Sequence, residues 1–140
     1  MIDNKIPGMD SGIFTRVVSL LKRYHLLSQA LMIGTTASTP FFTGKIKLSC
    51  TRRQLEKNMQ QPGYSSANYY LFETPDNIST DDVQWAKKNA IRVIAAINKF
   101  RYSFSNDPAK APEDDITRML KIGVTQFQID SEFEAFFKVK

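Results

Sequence analysis

The sequence predicts an α+β fold, an antiparallel sheet of about four to five strands with two main helices packed on one face. Two long segments carry apolar residues at the helical period, and several shorter segments alternate or are rich in aromatic residues. Helical and strand-like segments follow one another in blocks, which favours an antiparallel sheet over a doubly wound one. A length of 140 residues is typical of one domain, so we expect residues 1–140 to form a single domain.

The first predicted helix covers residues 10–33. Asp10 or Ser11 can cap its beginning, and Gly34 is placed to end it in a left-handed turn. Its last two turns carry apolar residues on both sides, and a helix end that is apolar all round is buried in a core or against a partner. The residues on the side opposite the main stripe are Leu26, Ala30 and Ile33.

Two strands are predicted between the long helices. Residues 42–51 alternate strictly between apolar and polar side chains, which indicates a strand with one buried face and one solvent-facing side. A short helical segment follows at residues 51–59. The aromatic-rich segment 65–74 is predicted to be the second strand.

The second long helix is predicted to run from residue 79 to about residue 100. Ser79 and Asp82 have the spacing of a capping box, although Asp replaces the usual Glu. The expected core stripe consists of Val83, Ala86, Ala90, Val93, Ile94, Ile97 and Phe100.

The C-terminal part is predicted to hold a short strand, a loop, a third helix and a hairpin. Residues 100–105 alternate, residues 105–112 have loop composition, and Pro112 opens a helix ending near Lys121. Two strand-like runs, 122–129 and 133–139, are joined around Asp130–Ser131 and form the predicted C-terminal hairpin.

The sequence contains no arrangement typical of catalysis, so we predict no catalytic residue, no metal site, no cofactor and no enzymatic activity. The single histidine, His25, has no orienting carboxylate nearby in sequence, and Cys50 lies on the inward face of a predicted strand. Neither a nucleophile elbow nor a phosphate-binding glycine loop occurs. The acidic cluster Asp130, Glu132 and Glu134 leaves open whether it contacts solvent, a cation or a basic neighbour.

The location predicted from the sequence is cytoplasmic (intracellular) or within an assembled particle. The chain opens with MIDNKIPGMD, which lacks the basic and apolar regions of a signal peptide. Residues 13–33 are the most apolar stretch, but four basic or polar residues interrupt it, so we expect no membrane span. A single cysteine excludes a disulfide within the chain.

The leading functional hypothesis is a non-enzymatic structural or assembly subunit, acting through protein–protein contacts in a larger complex such as a viral or phage particle. Surplus apolar residues favour a protein partner or self-association. An inhibitor or regulator that docks on a host enzyme makes the same apolar prediction and stays open. The residues predicted to form the interface are Leu26, Ala30, Leu31, Ile33, Phe41 and Phe42.

The alternative hypothesis is a small nucleic-acid-binding protein. Residues 1–61 contain nine Lys or Arg against three Asp or Glu, a net charge of +6, whereas residues 62–140 contain ten against eleven, a net charge of −1. Basic side chains near aromatic residues are typical of single-stranded nucleic-acid binders. The predicted contacts are a basic strand face and its surroundings, Lys45, Lys47, Arg52 and Arg53, and a helix row, Lys88, Arg92 and Lys99.

Overall fold

The computed structural model describes residues 1–137 of the chain. The chain divides into two compact units, Met1–Tyr70 and Leu71–Lys140, which we call the N-terminal unit and the C-terminal unit. The expectation of a single domain over residues 1–140 stays a prediction.

The N-terminal unit alternates strands with helices. Its strands are β1 (Ile2–Asp3), β2 (Leu31–Ile33) and β3 (Lys47–Cys50). Its α-helices are α1 (Ser11–Arg23), α2 (Thr39–Phe42) and α3 (Arg52–Met59). Strand β4 (Tyr69–Glu73) crosses the division between the units.

The C-terminal unit continues the alternation. Its strands are β5 (Arg92–Ile97) and β6 (Phe127–Ile129), and its α-helices are α4 (Thr80–Lys88), α5 (Lys99–Tyr102) and α6 (Ala111–Lys121). A 3-10 turn, Pro75–Asn77, precedes α4, and a 3-10 segment, Ser131–Phe137, follows β6.

Strand pairing within each unit is parallel, so the predicted antiparallel sheet is wrong. Ile2 lies beside Met32 and Leu31 beside Lys47 in the N-terminal unit. In the C-terminal unit, Ile97 lies beside Ile129. Each pair is joined through at least one α-helix, as parallel pairing requires, because the chain must return to the same end of the sheet. The fold class is therefore α/β, with six α-helices among residues 1–137 instead of two main ones.

The first predicted helix, 10–33, is wrong in its second half. Asp10 caps α1 as predicted, but the helix ends at Arg23. His25 has a positive φ of 56° and starts a Schellman turn, in which the Leu26 N–H donates to the carbonyl of Leu21 at 2.8 Å. A 3-10 turn, Leu27–Gln29, comes next and β2 begins at Leu31, so only the end of the apolar segment predicted as helix belongs to a sheet.

The second predicted helix, 79–100, is wrong in the same way. Its capping box is confirmed, since the Asp82 N–H donates to Ser79 Oγ at 3.2 Å and the Ser79 N–H donates to Asp82 Oδ2 at 2.9 Å. However, α4 ends at Lys88, and Ala90 adopts a φ of 54°. The next residues form β5, whose last four side chains are all buried.

The predicted strand at 100–105 and the predicted C-terminal hairpin are also wrong. Residues 99–102 form α5, and β6 pairs in parallel with β5 instead of turning back on itself. Phe133 is buried in a cluster of the C-terminal unit, which draws the chain after β6 into a 3-10 segment. Residues 138 and 139 of the predicted last strand lie outside the described residues. The helix predicted at 112–121 is confirmed as α6.

Each unit has its own buried apolar cluster. In the N-terminal unit the cluster joins α1, α2, β2 and β3 through Phe14, Val18, Met32, Phe42, Ile46 and Leu48. In the C-terminal unit it joins β5, α5, α6 and the 3-10 segment through Ile97, Tyr102, Ile116 and Phe133. Among residues 1–137, no helix combines the length and apolar character needed to cross a membrane.

Candidate protein-interaction surface

Helix α1 exposes a second apolar face beside the one that it buries. Phe14 and Val18 point into the core of the N-terminal unit. Ile13, Leu20 and Tyr24 recur at helical spacing on this second face, and Leu26 is exposed in the turn after the helix. We call these four residues the outer stripe. Leu20 is 53% exposed and Tyr24 61% exposed, which is unusual for large apolar side chains that recur on one face.

Charges of opposite sign mark the two ends of α1. Asp10 caps the beginning, where its carboxylate accepts the Ile13 N–H at 2.9 Å. Lys22 and Arg23 occupy the last turn, where cations are favourable to the helix dipole. The Arg23 guanidinium also lies over the Tyr24 ring, 5.8 Å from its centroid. The outer stripe is therefore bounded by an acidic end and a basic end.

The predicted interface residues, four from a helix end and the pair Phe41–Phe42, are spread over several elements. Leu26 is exposed and belongs to the outer stripe. Ala30 and Phe41 are partly buried against the core of the N-terminal unit, and Phe42 lies within that core at 1% exposure. Leu31 and Ile33 flank the buried Met32 in β2 and are half-buried. The helical periodicity that grouped Leu26, Ala30, Leu31 and Ile33 is thus not present in the fold.

The four cations predicted around the first strand have different surroundings. Lys45 is exposed, and its ammonium donates to the Phe41 carbonyl. Lys47 is half-buried as the first residue of β3. Arg52 pairs with Glu56 at 3.0 Å, while Arg53 is exposed on α3. Only β3, and not the whole segment 42–51, has the predicted strand geometry.

The predicted helix row of cations does not exist as a row. Lys88 lies in the last turn of α4, Arg92 is the first residue of β5, and Lys99 is the first residue of α5. Arg92 and Lys99 therefore lie at opposite ends of a strand. Nucleic-acid binding through these residues stays a prediction.

The acidic residues after β6 mainly stabilise the turn in which they lie. Asp130 accepts the Lys99 N–H at 2.6 Å, and Glu132 pairs with the Lys99 ammonium at 2.8 Å. The hydrogen bond from Lys99 is the main reason why the pKa of Glu132 lies below its ordinary value. Within residues 1–137 no three potential ligands from His, Cys, Asp and Glu come together around a metal position.

A charged network near the carboxyl end of β5 was not predicted from the sequence. Arg101 pairs with Asp76 and, at 3.1 Å, with Asp115. Asp115 also accepts from the Tyr102 hydroxyl at 3.0 Å and from Arg118 at 2.8 Å. The bond to Arg101 lowers the pKa of Asp76, and burial raises the pKa of Tyr102 to about 12.

This network joins α5, α6 and the turn before α4. Its partners are distant in sequence, so no local pattern announces it. An open cavity of about 390 Å³ lies beside it, lined by Asp76, Arg101, Tyr102, Phe104, Ser105, Ala111, Asp114 and Asp115. Because the carboxylates there are paired with Arg101, Arg118 and Lys110, the arrangement is that of a structural cross-link.

Cys50 and His25 do not have the surroundings of a catalytic nucleophile and its base. Cys50 is buried in β3, where desolvation raises the pKa of its thiol to about 11, although a bond from Asn58 opposes the shift. A thiol of this kind is inert because the thiolate is the reactive form. His25 is exposed in the turn after α1.

The comparisons with known proteins give no match. No protein-family model matches the chain, and neither a curated protein nor a solved structure resembles it significantly. Function must therefore be argued from the residues described above.

Proposed function

We propose that the protein is a non-enzymatic assembly subunit that associates with a second copy of itself through the outer stripe of α1. The observation that carries this proposal is the exposure of Ile13, Leu20 and Tyr24 on one side of α1, the longest helix among residues 1–137, with Leu26 exposed in the turn that follows it. Recurrent apolar side chains that face solvent are a common mark of a protein–protein contact.

A second copy is the occupant that the charges of α1 favour. Closed dimers with two-fold symmetry are the commonest soluble assemblies, and they bring the same surface of both copies together. If two α1 helices pack antiparallel, the beginning of one helix, capped by Asp10, lies level with the basic last turn of the other, and this happens twice. Antiparallel packing also opposes the two helix dipoles, which is favourable. The outer stripe of one copy then covers that of the other.

The substitution Leu20→Asp tests the proposal. Leu20 lies near the middle of the outer stripe and contributes no side chain to the buried cluster, so an Asp there should leave the fold intact. It places two carboxylates in a dehydrated contact, which is unfavourable. We expect light scattering after size-exclusion chromatography to give a dimer mass for the wild type and a monomer mass for this variant.

Leu120→Asp is the matched control. Leu120 is 52% exposed on α6, almost the same exposure as Leu20, but it lies outside the outer stripe. We expect this variant to remain dimeric, and circular dichroism should show both variants to be folded. A monomeric wild type, or dissociation of both variants alike, contradicts the proposal.

We also propose that the assembly is part of a larger complex, such as a viral or phage particle, and that the protein is cytoplasmic. The same chromatography also tests the nucleic-acid alternative, if absorbance is recorded at nucleic-acid and protein wavelengths. Co-purified nucleic acid that is released as salt rises favours the alternative, because counterion release makes such binding salt-dependent.

A further inference from the structure

An open cavity of about 420 Å³ in the N-terminal unit collects basic side chains. It is lined by Lys22, His25, Leu27, Ser28 and Lys45. The lining residues are thus two lysines, one histidine and one serine, with a single apolar residue. Among these described lining residues there is no carboxylate to neutralise the positive charge. We call this site the basic cavity.

Lys45 is held in place at one side of the basic cavity. Gly44, at a φ of +77°, makes the turn after α2 that presents Lys45. The Lys45 ammonium donates to the Phe41 carbonyl and lies 4.5 Å from the centroid of the Phe41 ring. An ammonium has three donors, so this anchored group keeps donors for another acceptor.

His25 reaches the basic cavity through a strained backbone conformation. Its φ of 56° lies in the left-handed region, which is disfavoured for a residue with a β-carbon. A glycine would make the same Schellman turn without that cost. Strained residues of this kind concentrate at functional sites, where the side chain has a use. The His25 N–H donates to the Lys22 carbonyl at 3.1 Å, and this bond joins the turn to Lys22, the second lysine of the basic cavity.

The negative end of α1 is partly neutralised at this point. The carbonyls of Leu20, Leu21 and Lys22 accept the N–H groups of Tyr24, Leu26 and His25 respectively. These carbonyls are therefore engaged by the turn, and the side chains of Lys22, His25 and Lys45 dominate the local charge.

We infer that the basic cavity binds the phosphoryl group of a small phosphate monoester. A tetrahedral dianion has acceptor oxygens for both ammonium groups, the imidazole and the Ser28 hydroxyl, and such charge-assisted bonds are the stronger ones. Leu27 provides an apolar wall for the remainder of the ligand.

This binding is independent of the proposed self-association. Lys22 and Leu20 are two residues apart on α1, which places them roughly 160° apart around the helix axis. The basic cavity and the part of the outer stripe that lies on α1 are therefore on different sides of the helix, and only Leu26 is next to cavity residues in sequence. Failure of one proposal leaves the other standing, and the two tests use different variants.

The single histidine of the chain provides a direct reporter. Inorganic phosphate and phenyl phosphate are titrated separately into the full-length protein at constant pH and ionic strength, and the imidazole proton signals of His25 are followed by NMR. We expect a saturable shift with both probes and tighter binding of phenyl phosphate, because its ring can contact Leu27. An equal titration with sodium chloride should give no saturable shift.

Lys22→Ala is the decisive variant, and Lys57→Ala is its control. Lys22 and Lys57 are both exposed lysines on helices, but only Lys22 lines the basic cavity. We expect Lys22→Ala to weaken phosphate binding by about tenfold or more, the change in affinity that corresponds to one charge-assisted bond, and Lys57→Ala to leave it unchanged. His25→Gly, followed by isothermal calorimetry, should also weaken binding while it stabilises the fold.

Three results overturn the inference. The first is a shift that stays linear with phosphate concentration, as non-specific screening produces. The second is equal weakening by Lys22→Ala and Lys57→Ala. The third is unchanged phosphate affinity in His25→Gly, which reduces the left-handed histidine to a feature of the turn alone.

Discussion

Two helix-to-strand connections in the C-terminal unit have the same geometry but different sequences. After α6, Gly123 has a φ of 95°, and the Val124 N–H donates to the Met119 carbonyl at 3.0 Å. After α4, Ala90 has a φ of 54°, and the Ile91 N–H donates to the Ala86 carbonyl at 2.8 Å. Both are Schellman turns that lead into neighbouring parallel strands.

The difference between the two connections lies in one residue. Glycine at the left-handed position marks a helix end in the sequence, and α6 was predicted to end where it does. Alanine is the best helix former, so Ala90 favours continuation of α4, and Asn89 is the only local sign that the helix ends here. The fold therefore places a helix end where local preference favours continuation, and packing of the following strand has to supply the free energy.

The largest change in the free energy of unfolding is expected for a substitution in β5, the strand that follows the turn at Ala90. Ala95 is fully buried in the strand, whereas the mistaken helix 79–100 would have placed it outside the core stripe. Phe100 belonged to that stripe but is 76% exposed. We expect Ala95→Asp to lower the free energy of unfolding by more than about 3 kcal/mol, because it buries an unpaired charge.

Phe100→Asp is the matched substitution at an exposed residue that the helical prediction placed in the core. Its cost should stay below about 1 kcal/mol, because an exposed side chain loses little on replacement. Urea unfolding followed by Trp85 fluorescence measures both values. A larger cost at Phe100 than at Ala95 would restore the helical interpretation of this segment.

The second test exchanges the residues of the two turns. Gly123→Ala should lower the free energy of unfolding by about 1 kcal/mol, because the left-handed conformation then carries a β-carbon. The new methyl group itself meets only Val83, at an ordinary contact distance of 3.8 Å. Ala90→Gly should raise stability by about 0.5 kcal/mol, since relief of strain exceeds the added entropy of the unfolded chain.

If the two turns are equivalent, Gly123→Ala must lower the free energy of unfolding and Ala90→Gly must raise it. Thermal or urea unfolding of the two single variants checks this. Destabilisation by Ala90→Gly would mean that the helix, and not the turn, is the preferred state of residue 90.

The last prediction compares the urea unfolding midpoints of the two units, between which we expect no difference. Each unit contains its own probe. Cys50 reports on the N-terminal unit and Trp85 on the C-terminal unit. Burial raises the pKa of Cys50 to about 11, so iodoacetamide at neutral pH should label it only after unfolding. We expect the urea midpoints of labelling and of Trp85 fluorescence to coincide, because units of this size rarely have a sufficient core alone.

The same thiol gives stability a weak dependence on alkaline pH. The unfolded thiol ionises near a pKa of about 8.5 while the folded thiol stays protonated, so unfolding releases a proton above that pH. Its contribution to stability is complete below about pH 8.5 and falls as the pH rises towards the folded value of about 11.

Separate urea midpoints for Cys50 labelling and Trp85 fluorescence would show that the units unfold independently and would contradict the single-domain prediction.

Local signals in the sequence predicted local structure well. The capping residues Asp10 and Ser79, the helix α6 and the short helix α3 were all found from residue type and spacing. The parallel pairing was missed because it depends on where α1 and α4 end, and both end at residues other than glycine. Once β2 and β5 were read as helix, the alternation of strands and helices that predicts a parallel sheet was no longer visible. The continuous apolar run at 93–97 was the available sign of a strand buried on both faces.

The candidate surfaces were predicted less well than the elements. Leu26 was expected to face a partner and is indeed exposed, but Phe42 is a core residue. Exposure of Ile13, Leu20 and Tyr24 was missed because apolar periodicity shows that a helix has an apolar face, not how much of it is covered. The basic cavity combines Lys22 and His25 with Lys45 from another turn, and contacts of this kind follow only from tertiary structure.

The tight junction between α4 and β5 restricts how the length of the chain can change. Ile91 is buried directly before Arg92, where the strand begins. Because side chains alternate along a strand, adding or deleting one residue here would exchange the two faces of β5. The exposed stretch from residue 106 to residue 110 is free of that restriction. Insertions that arise during evolution can therefore accumulate before α6, whereas at residues 89–91 they are excluded.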